Sequence, residues 1–328
     1  MIIARLPPCG GSPLSPPPPL GRSRRRGAQG FDPALDDTEL VAARTALDRG
    51  RWTEARSLLA DTGDDWDRRG HRLVVLGQPL STGPWAQEWR LAEPESADAA
   101  ALAASAAVFR ALRGKERAER AQEACHAAAA LAAPDPTPWL ALLILARTLG
   151  TEEEVVRLFD EVRHRHPGHH HAHHLMAARL AERRTGAGQD PLHEVYDFAS
   201  WAAEQAPPGS PLAVLPVVAH AERYRVLASV GSEPADPVAS GHWTGRRARV
   251  VMKAAFDWWL EWGGGTHPRN RIDLNFLAHA KFCEGRAAEA AALFHRIGTQ
   301  GTREPWAYPD RDPYVAFRAA RNAALGSA

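Results

Sequence analysis

Cysteine is scarce in this chain: three residues, Cys9, Cys125 and Cys283, lie far apart and in no CxxC spacing. That excludes a cysteine-ligated zinc module and a disulfide framework, and an odd, unpatterned set suits a reducing compartment. Lysine is equally rare, with Lys115, Lys253 and Lys281 alone among 40 basic residues, a bias that reflects a GC-rich genome rather than a function. No apolar run approaches the ~20 residues needed to cross a bilayer. Arg24-Arg25 is followed by Arg26-Gly27-Ala28-Gln29 rather than an apolar segment, so a twin-arginine export signal is not expected. There is no GxSxG, no P-loop and no glycine-rich dinucleotide turn, because Gly263-Gly264-Gly265 follows a helical pattern instead of a strand. These absences lead us to expect a cytoplasmic protein with no membrane partner and no bound cofactor.

Charge is nearly balanced at a formal +1. Residues 1–30 hold Arg5, Arg22, Arg24, Arg25 and Arg26 with no acid, which leaves 35 basic against 39 acidic residues in the remainder. Binding to nucleic acid by counterion release needs a basic face, and the body of the chain does not advertise one. The prolines of residues 1–30 (Pro7, Pro8, Pro13, Pro16–Pro19) and the arginine cluster predict a disordered tail. A polyproline ligand for another domain and a start codon further in are the alternatives.

What is present is helical periodicity. In three places a glycine is followed by a small or branched apolar residue at +5 and a bulky one at +9: Gly50, Ala55, Leu59; Gly150, Val155, Phe159; Gly285, Ala290, Phe294. An amphipathic segment precedes each glycine, which is the helix–turn–helix phase of a tetratricopeptide unit. With no period-2 alternation between hairpin turns, the expected fold is all-α: a tetratricopeptide-like α-solenoid of stacked hairpins with roughly 13–15 helices over residues 31–328. Asp32-Pro33, Asp190-Pro191, Ser210-Pro211 and Asp312-Pro313 read as cap-plus-proline helix starts. Pro216 should bend its helix or mark its beginning. Residues 77–95 resist assignment, and 231–242 is a candidate sub-boundary.

Two stretches carry a resemblance. HHHAHHLMAARL with HEVYDFASWAAEQAPPGSPLAVLPVVAH, over residues 169–220, and DLNFLAHAKFCEGRAAEAAALFHRIG with PWAYPDRDPYVAFRAARNAAL near the end resemble a family of uncharacterised actinobacterial helical-repeat proteins. The resemblance spans most of residues 35–325. It implies a tetratricopeptide-like fold and no chemistry.

Candidate chemistry centres on histidine. Seven of the eleven residues from His164 to His174 are His. In a helix starting near Gly168, His169 and His173 stand one turn apart, as do His170 and His174, and such pairs chelate Zn²⁺, Ni²⁺ or Cu²⁺ when neutral. A metal site needs further ligands; HExxH is absent, and Asp160 or Glu161 are the acids nearest in sequence. The bland expectation is that these histidines are solvated at a loop and helix start, with one or two buried. Cys125 adjoins His126, but helical neighbours point about 100° apart and form no dyad. Phe256, Trp259 and Trp262 share one helical face, which leaves Trp258 as a candidate peptide anchor, with Arg269, Asn270, Arg271, Asn275 and Lys281 as a polar row beside it. A solvated helix face explains that row equally well. The expectation is therefore a non-enzymatic scaffold for a protein or peptide partner. The alternative is a metal-binding or metal-responsive protein built on the His164–His174 cluster, and an enzyme with its site in the groove is a third possibility.

Overall fold

Short capping segments and apolar stripes divide the chain into fifteen α-helices in the computed structural model, which describes residues 30–184, 190–263 and 265–326. They are α1 (Thr38–Asp48), α2 (Thr53–Thr62), α3 (Trp66–Gly77), α4 (Thr82–Ala92), α5 (Ala97–Leu112), α6 (Ala118–Leu131), α7 (Thr137–Leu149), α8 (Glu152–Arg165), α9 (His170–Ala181), α10 (Glu194–Gln205), α11 (Leu215–Ser229), α12 (Arg246–Trp262), α13 (Asn270–Cys283), α14 (Ala287–Ile297) and α15 (Pro313–Leu325). Among the described residues there is no strand, and no helix is long and apolar enough to cross a membrane. The expected tail at residues 1–30 lies outside the described residues except for Gly30.

The caps explain where the helices begin. Asp37, not Asp32, opens α1, accepting the Leu40 N–H at 2.9 Å, while Asp32 accepts the Ala34 N–H in a preceding turn. Thr151 caps α8 as its sequence pattern predicts. Asp190-Pro191 and Ser210-Pro211 begin short 3-10 turns (Asp190–Leu192 and Pro211–Val214) rather than α-helices, and Pro216 is the second residue of α11, where its missing N–H has no partner to lose. The unassigned stretch 77–95 contains α4, anchored by a fully buried Trp89 that stacks on Trp52 at 5.6 Å and donates its indole N–H to Glu93. Residues 231–242 hold no open linker: Tyr224 donates to the Pro234 carbonyl at 2.8 Å, and the adjacent Trp243 is fully buried against Tyr224 and His279.

Packing produces an inner row and an outer row. α3, α5, α7, α9, α11 and α13 each touch the next, and they carry most of the buried side chains. Small residues let them close up; at Gly77 of α3 a Cβ would stand 2.4 Å from Ser105 Oγ of α5, so only glycine fits. The first and last parts of the chain also meet, whereas an open array has contacts only between neighbouring repeats. Phe31 packs on Phe317 at 5.4 Å over Gly301, Asp36 pairs with Arg271 at 3.1 Å, and Arg68 donates to the Thr266 carbonyl at 2.8 Å. That closure brings the N-terminal ends of α3, α9 and α13 to one place.

Candidate metal centre

Three helix starts supply the site: Asp67 is the second residue of α3, His169 caps α9 and His170 is its first residue, and Asp273 stands in the first turn of α13. The residues reach this point because α3 tolerates a close neighbour. Gly70 presents no side chain where a Cβ would be 3.3 Å from His169 Nε2. The partial positive charge of a helix start favours carboxylates and opposes protonation of imidazoles.

The carboxylate of Asp273 receives two histidines. His170 Nε2 lies 2.8 Å from Oδ2 and His174 Nε2 lies 3.2 Å from Oδ1, and the two rings are 4.2 Å apart. All three residues are buried, with ligand atoms within 4.8 Å of one another, the one such trio among the described residues. Ligands adjacent on a metal at about 2.1 Å stand about 3 Å from each other, so these separations suit a shared ion. Burial, which disfavours charge, pushes His170 down to about 3 despite its carboxylate partner. Burial alone would raise Asp273, but His170 and His174 outweigh it and hold the acid well below the usual carboxylate range. A neutral imidazole beside an ionised carboxylate is the protonation state that ligates a cation. His170 Nδ1 is buried and has no partner among the described residues.

A second carboxylate lies nearer the surface. Asp67 Oδ2 is 3.1 Å from His166 Nε2 and 3.4 Å from His267 Nε2, and its Oδ1 accepts the backbone N–H of His170 at 2.9 Å and faces His169 Nδ1 at 3.6 Å. Burial would raise Asp67; the hydrogen bond with His166 and the neighbouring imidazoles of His267 and His169 reverse that and hold it far below its ordinary value. Side-chain exposure falls from 33% at His166 through 14% at Asp67 to 3% at Asp273, so the histidines grade inward from solvent. The His267 ring lies 4.7 Å from that of His170 and joins the two carboxylates.

The solvated reading of the histidines is therefore corrected: His169, His170, His173 and His174 are all buried, and of the seven only His164 is exposed. Of the two pairs one turn apart, His170 and His174 converge. His169 and His173 do not share a carboxylate, because His173 Nδ1 bonds the His169 carbonyl at 2.8 Å and its ring packs edge-on to Phe159. The nearby acids are occupied elsewhere, Asp160 by Arg163 and Glu161 by Arg165. The acids that matter, Asp67 and Asp273, are 103 residues away on either side of His170, a separation no local pattern reveals.

The polar row is largely buried. Asn275 is fully buried, donating to the carbonyls of Arg271 and Gln300 and accepting the Trp306 indole N–H at 2.7 Å. Lys281 is buried between Glu284 and Glu289, and Arg269 is buried too. Asn270 donates to the Gly265 carbonyl, Arg271 is held by Asp36 and the Arg296 carbonyl, and Trp258 is half-buried against the core. These positions form no continuous solvent-facing surface, because the helix carrying most of them belongs to the inner row. Cys125 is also buried, its thiol pushed up to about 12 by desolvation, which leaves no thiolate for nucleophilic attack at neutral pH.

No protein-family model matches the chain, and a search of curated proteins found no match either. The functional reading therefore stands on geometry.

Proposed function

We propose that this protein binds one divalent first-row metal ion through His170, His174 and Asp273. The observation that carries the reading is the convergence of two buried imidazoles on one buried carboxylate. Nitrogen and oxygen donors of this kind suit Zn²⁺, Fe²⁺, Co²⁺ or Ni²⁺. Three protein ligands leave a position for water or substrate, the pattern of sites that do chemistry rather than closed structural sites. His166, Asp67 and His267 provide the polar way in from the surface. The test is stoichiometric loading with Co²⁺, followed by its visible absorption and by competition against a chelator. Wild type takes up one equivalent; His170→Ala with His174→Ala, and separately Asp273→Ala, weaken it by 100-fold or more, while His164→Ala leaves it unchanged. Equal uptake by wild type and the double variant would sink the reading.

A second reading keeps the helical hairpins in view. Gly50 and Gly285 take the positive φ that breaks a helix between partners, and α1 with α2, α7 with α8 and α13 with α14 pack as consecutive pairs. Such stacking supports a tetratricopeptide-like scaffold that works by holding a partner. An open groove of about 980 Å³ along α8, lined by Glu153, Arg157, Asp160, His164 and Arg183, suits an extended polar peptide. A tagged pull-down with and without chelator separates the two readings, since a partner of this groove is retained in chelator and lost on charge reversal at Arg157 and Asp160.

A further inference from the structure

Arg269 is the buried charge that the metal reading leaves without a purpose. It immediately precedes α13, four residues before Asp273, and is 9% exposed. Three other arginines are as deeply buried among the described residues, and each has its carboxylate: Arg69 has Asp98 and Asp135, Arg72 has Asp37 and Glu39, and Arg223 has Asp190. Arg269 has no ion pair and no side-chain hydrogen bond among the described residues, and its Nε is buried without a partner. Asp273, Asp67 and Glu304 lie close enough to act on its charge, but the two aspartates are engaged by imidazoles and Glu304 pairs with Arg303 at 3.5 Å. A guanidinium mostly removed from water, with its Nε buried and unpaired, is costly to the fold. A chain that pairs its other buried arginines has kept this one beside the histidine cluster.

We propose that Arg269 is the receptor for an oxyanion, the carboxylate or phosphate group of a small molecule that binds next to His170, His174 and Asp273. The guanidinium offers a planar fork of donors that matches either group with two parallel hydrogen bonds. The charges agree. The two aspartates, Asp67 and Asp273, match a divalent ion in charge, and the positive charge of Arg269 remains for an anion to neutralise. The helix starts of α3, α9 and α13 add partial positive charge from the same side. The substrate class is thus a small anionic molecule, fixed by its oxyanion at Arg269 while a neighbouring oxygen or nitrogen reaches the metal's open position. The proposal rests on the metal reading for that second contact and not for the guanidinium.

Isothermal titration tests it, with inorganic phosphate in one arm and succinate in the other, on the Co²⁺-loaded protein and on protein in chelator. The expected result is saturable binding of one of the two anions, tighter in the loaded form, and weakened at least tenfold in Arg269→Met. Arg269→Lys, which keeps the charge and loses the fork, falls between them. Co²⁺ uptake by both variants stays at one equivalent. An Arg269→Met protein that binds the anion as wild type does overturns the proposal, and so does a wild-type protein that binds neither anion in either form. Loaded protein that takes no anion ends this proposal and leaves the metal reading standing. Anion binding in chelator without Co²⁺ uptake ends the metal reading and leaves Arg269 as an oxyanion receptor. Because removing an unpaired buried charge relieves the fold, Arg269→Met melts no lower than wild type in anion-free chelator; a lower melting temperature would mark Arg269 as structural and count against its role as a receptor.

Discussion

The Asp67 carboxylate accepts the backbone N–H of His170 at 2.9 Å, so an acid on α3 holds the first residue of α9 across 103 residues of chain. The same carboxylate receives His166 and His267. It fastens three separate segments around the centre without being one of the three converging ligands. Asp67→Ala should lower stability by about 2–3 kcal/mol, since hydrogen bonds to a charged group are lost inside the protein. It should also weaken metal affinity by about 10–100-fold through misplacement of His170. Asp67→Asn, which retains an oxygen for the His170 N–H, should recover part of the stability. Urea unfolding and chelator competition measure both effects, and an Asp67→Ala protein within 0.5 kcal/mol of wild type would show that the fastening is not needed.

Burial also makes the protein sensitive to mild acid. Desolvation pushes His71, His220 and His279 down to about 3, whereas in the unfolded chain each titrates near its ordinary value of about 6.5. Between those values the unfolded state binds more protons than the folded state. The contribution of each neutral histidine is therefore complete above about pH 6.5 and lost as pH falls toward 3. His220 is the cleanest probe, because it lies on α11 against Tyr196, both its ring nitrogens lack partners, and the nearby charges that lower it further are His242 and Arg247. From pH 7 to pH 5 the wild type should lose about 2 kcal/mol at this residue alone. His220→Phe should lose that much less over the same interval in parallel urea titrations. Identical pH slopes for the two proteins would show that His220 is already charged, or already solvated, in the folded state.

How much of this was legible in the sequence depends on the range of the interactions. Helix starts set by an adjacent side chain, such as Thr151 before α8, could be read directly, and so could the all-helical class, which follows from periodicity. The stretch holding α4 could not, because Gly83, Pro84 and two tryptophans look like punctuation until Trp89 is seen stacked on Trp52. The pairing of His170 with His174 was visible from helical spacing alone. Their burial was not, since a run of histidines reads as polar, and the elements that cover it, α3 and α13, lie about a hundred residues away in either direction. Nothing local marks Asp273, a single acid in the first turn of α13. Lys281 and Asn275 looked solvent-facing for the same reason: polarity predicts exposure only when no buried partner waits, and here Glu284, Glu289 and Trp306 do.

The meeting of the chain's two ends is what assembles the centre, and it can be tested apart from any ligand. Phe31 lies over Gly301, where an added Cβ would stand 2.4 Å from its ring, and it packs against Tyr314 and Phe317. From there Asp36 reaches Arg271, and Arg68 reaches the Thr266 carbonyl beside His267. Phe31→Ala removes a half-buried ring, so the direct cost should be only about 1–2 kcal/mol. The effect should travel, because the contacts that join α3 to the segment leading into α13, Arg68 with the Thr266 carbonyl and Asp67 with His267, are polar. Amide hydrogen exchange should speed up at the start of α13 and α3 by about tenfold or more, while α5, α7 and α11 in the middle of the inner row keep their protection. Gly301→Ala should produce the same pattern by displacing the ring rather than deleting it. Faster exchange spread evenly over all helices would mean that Phe31 supports the fold as a whole and that closure is not a separable step.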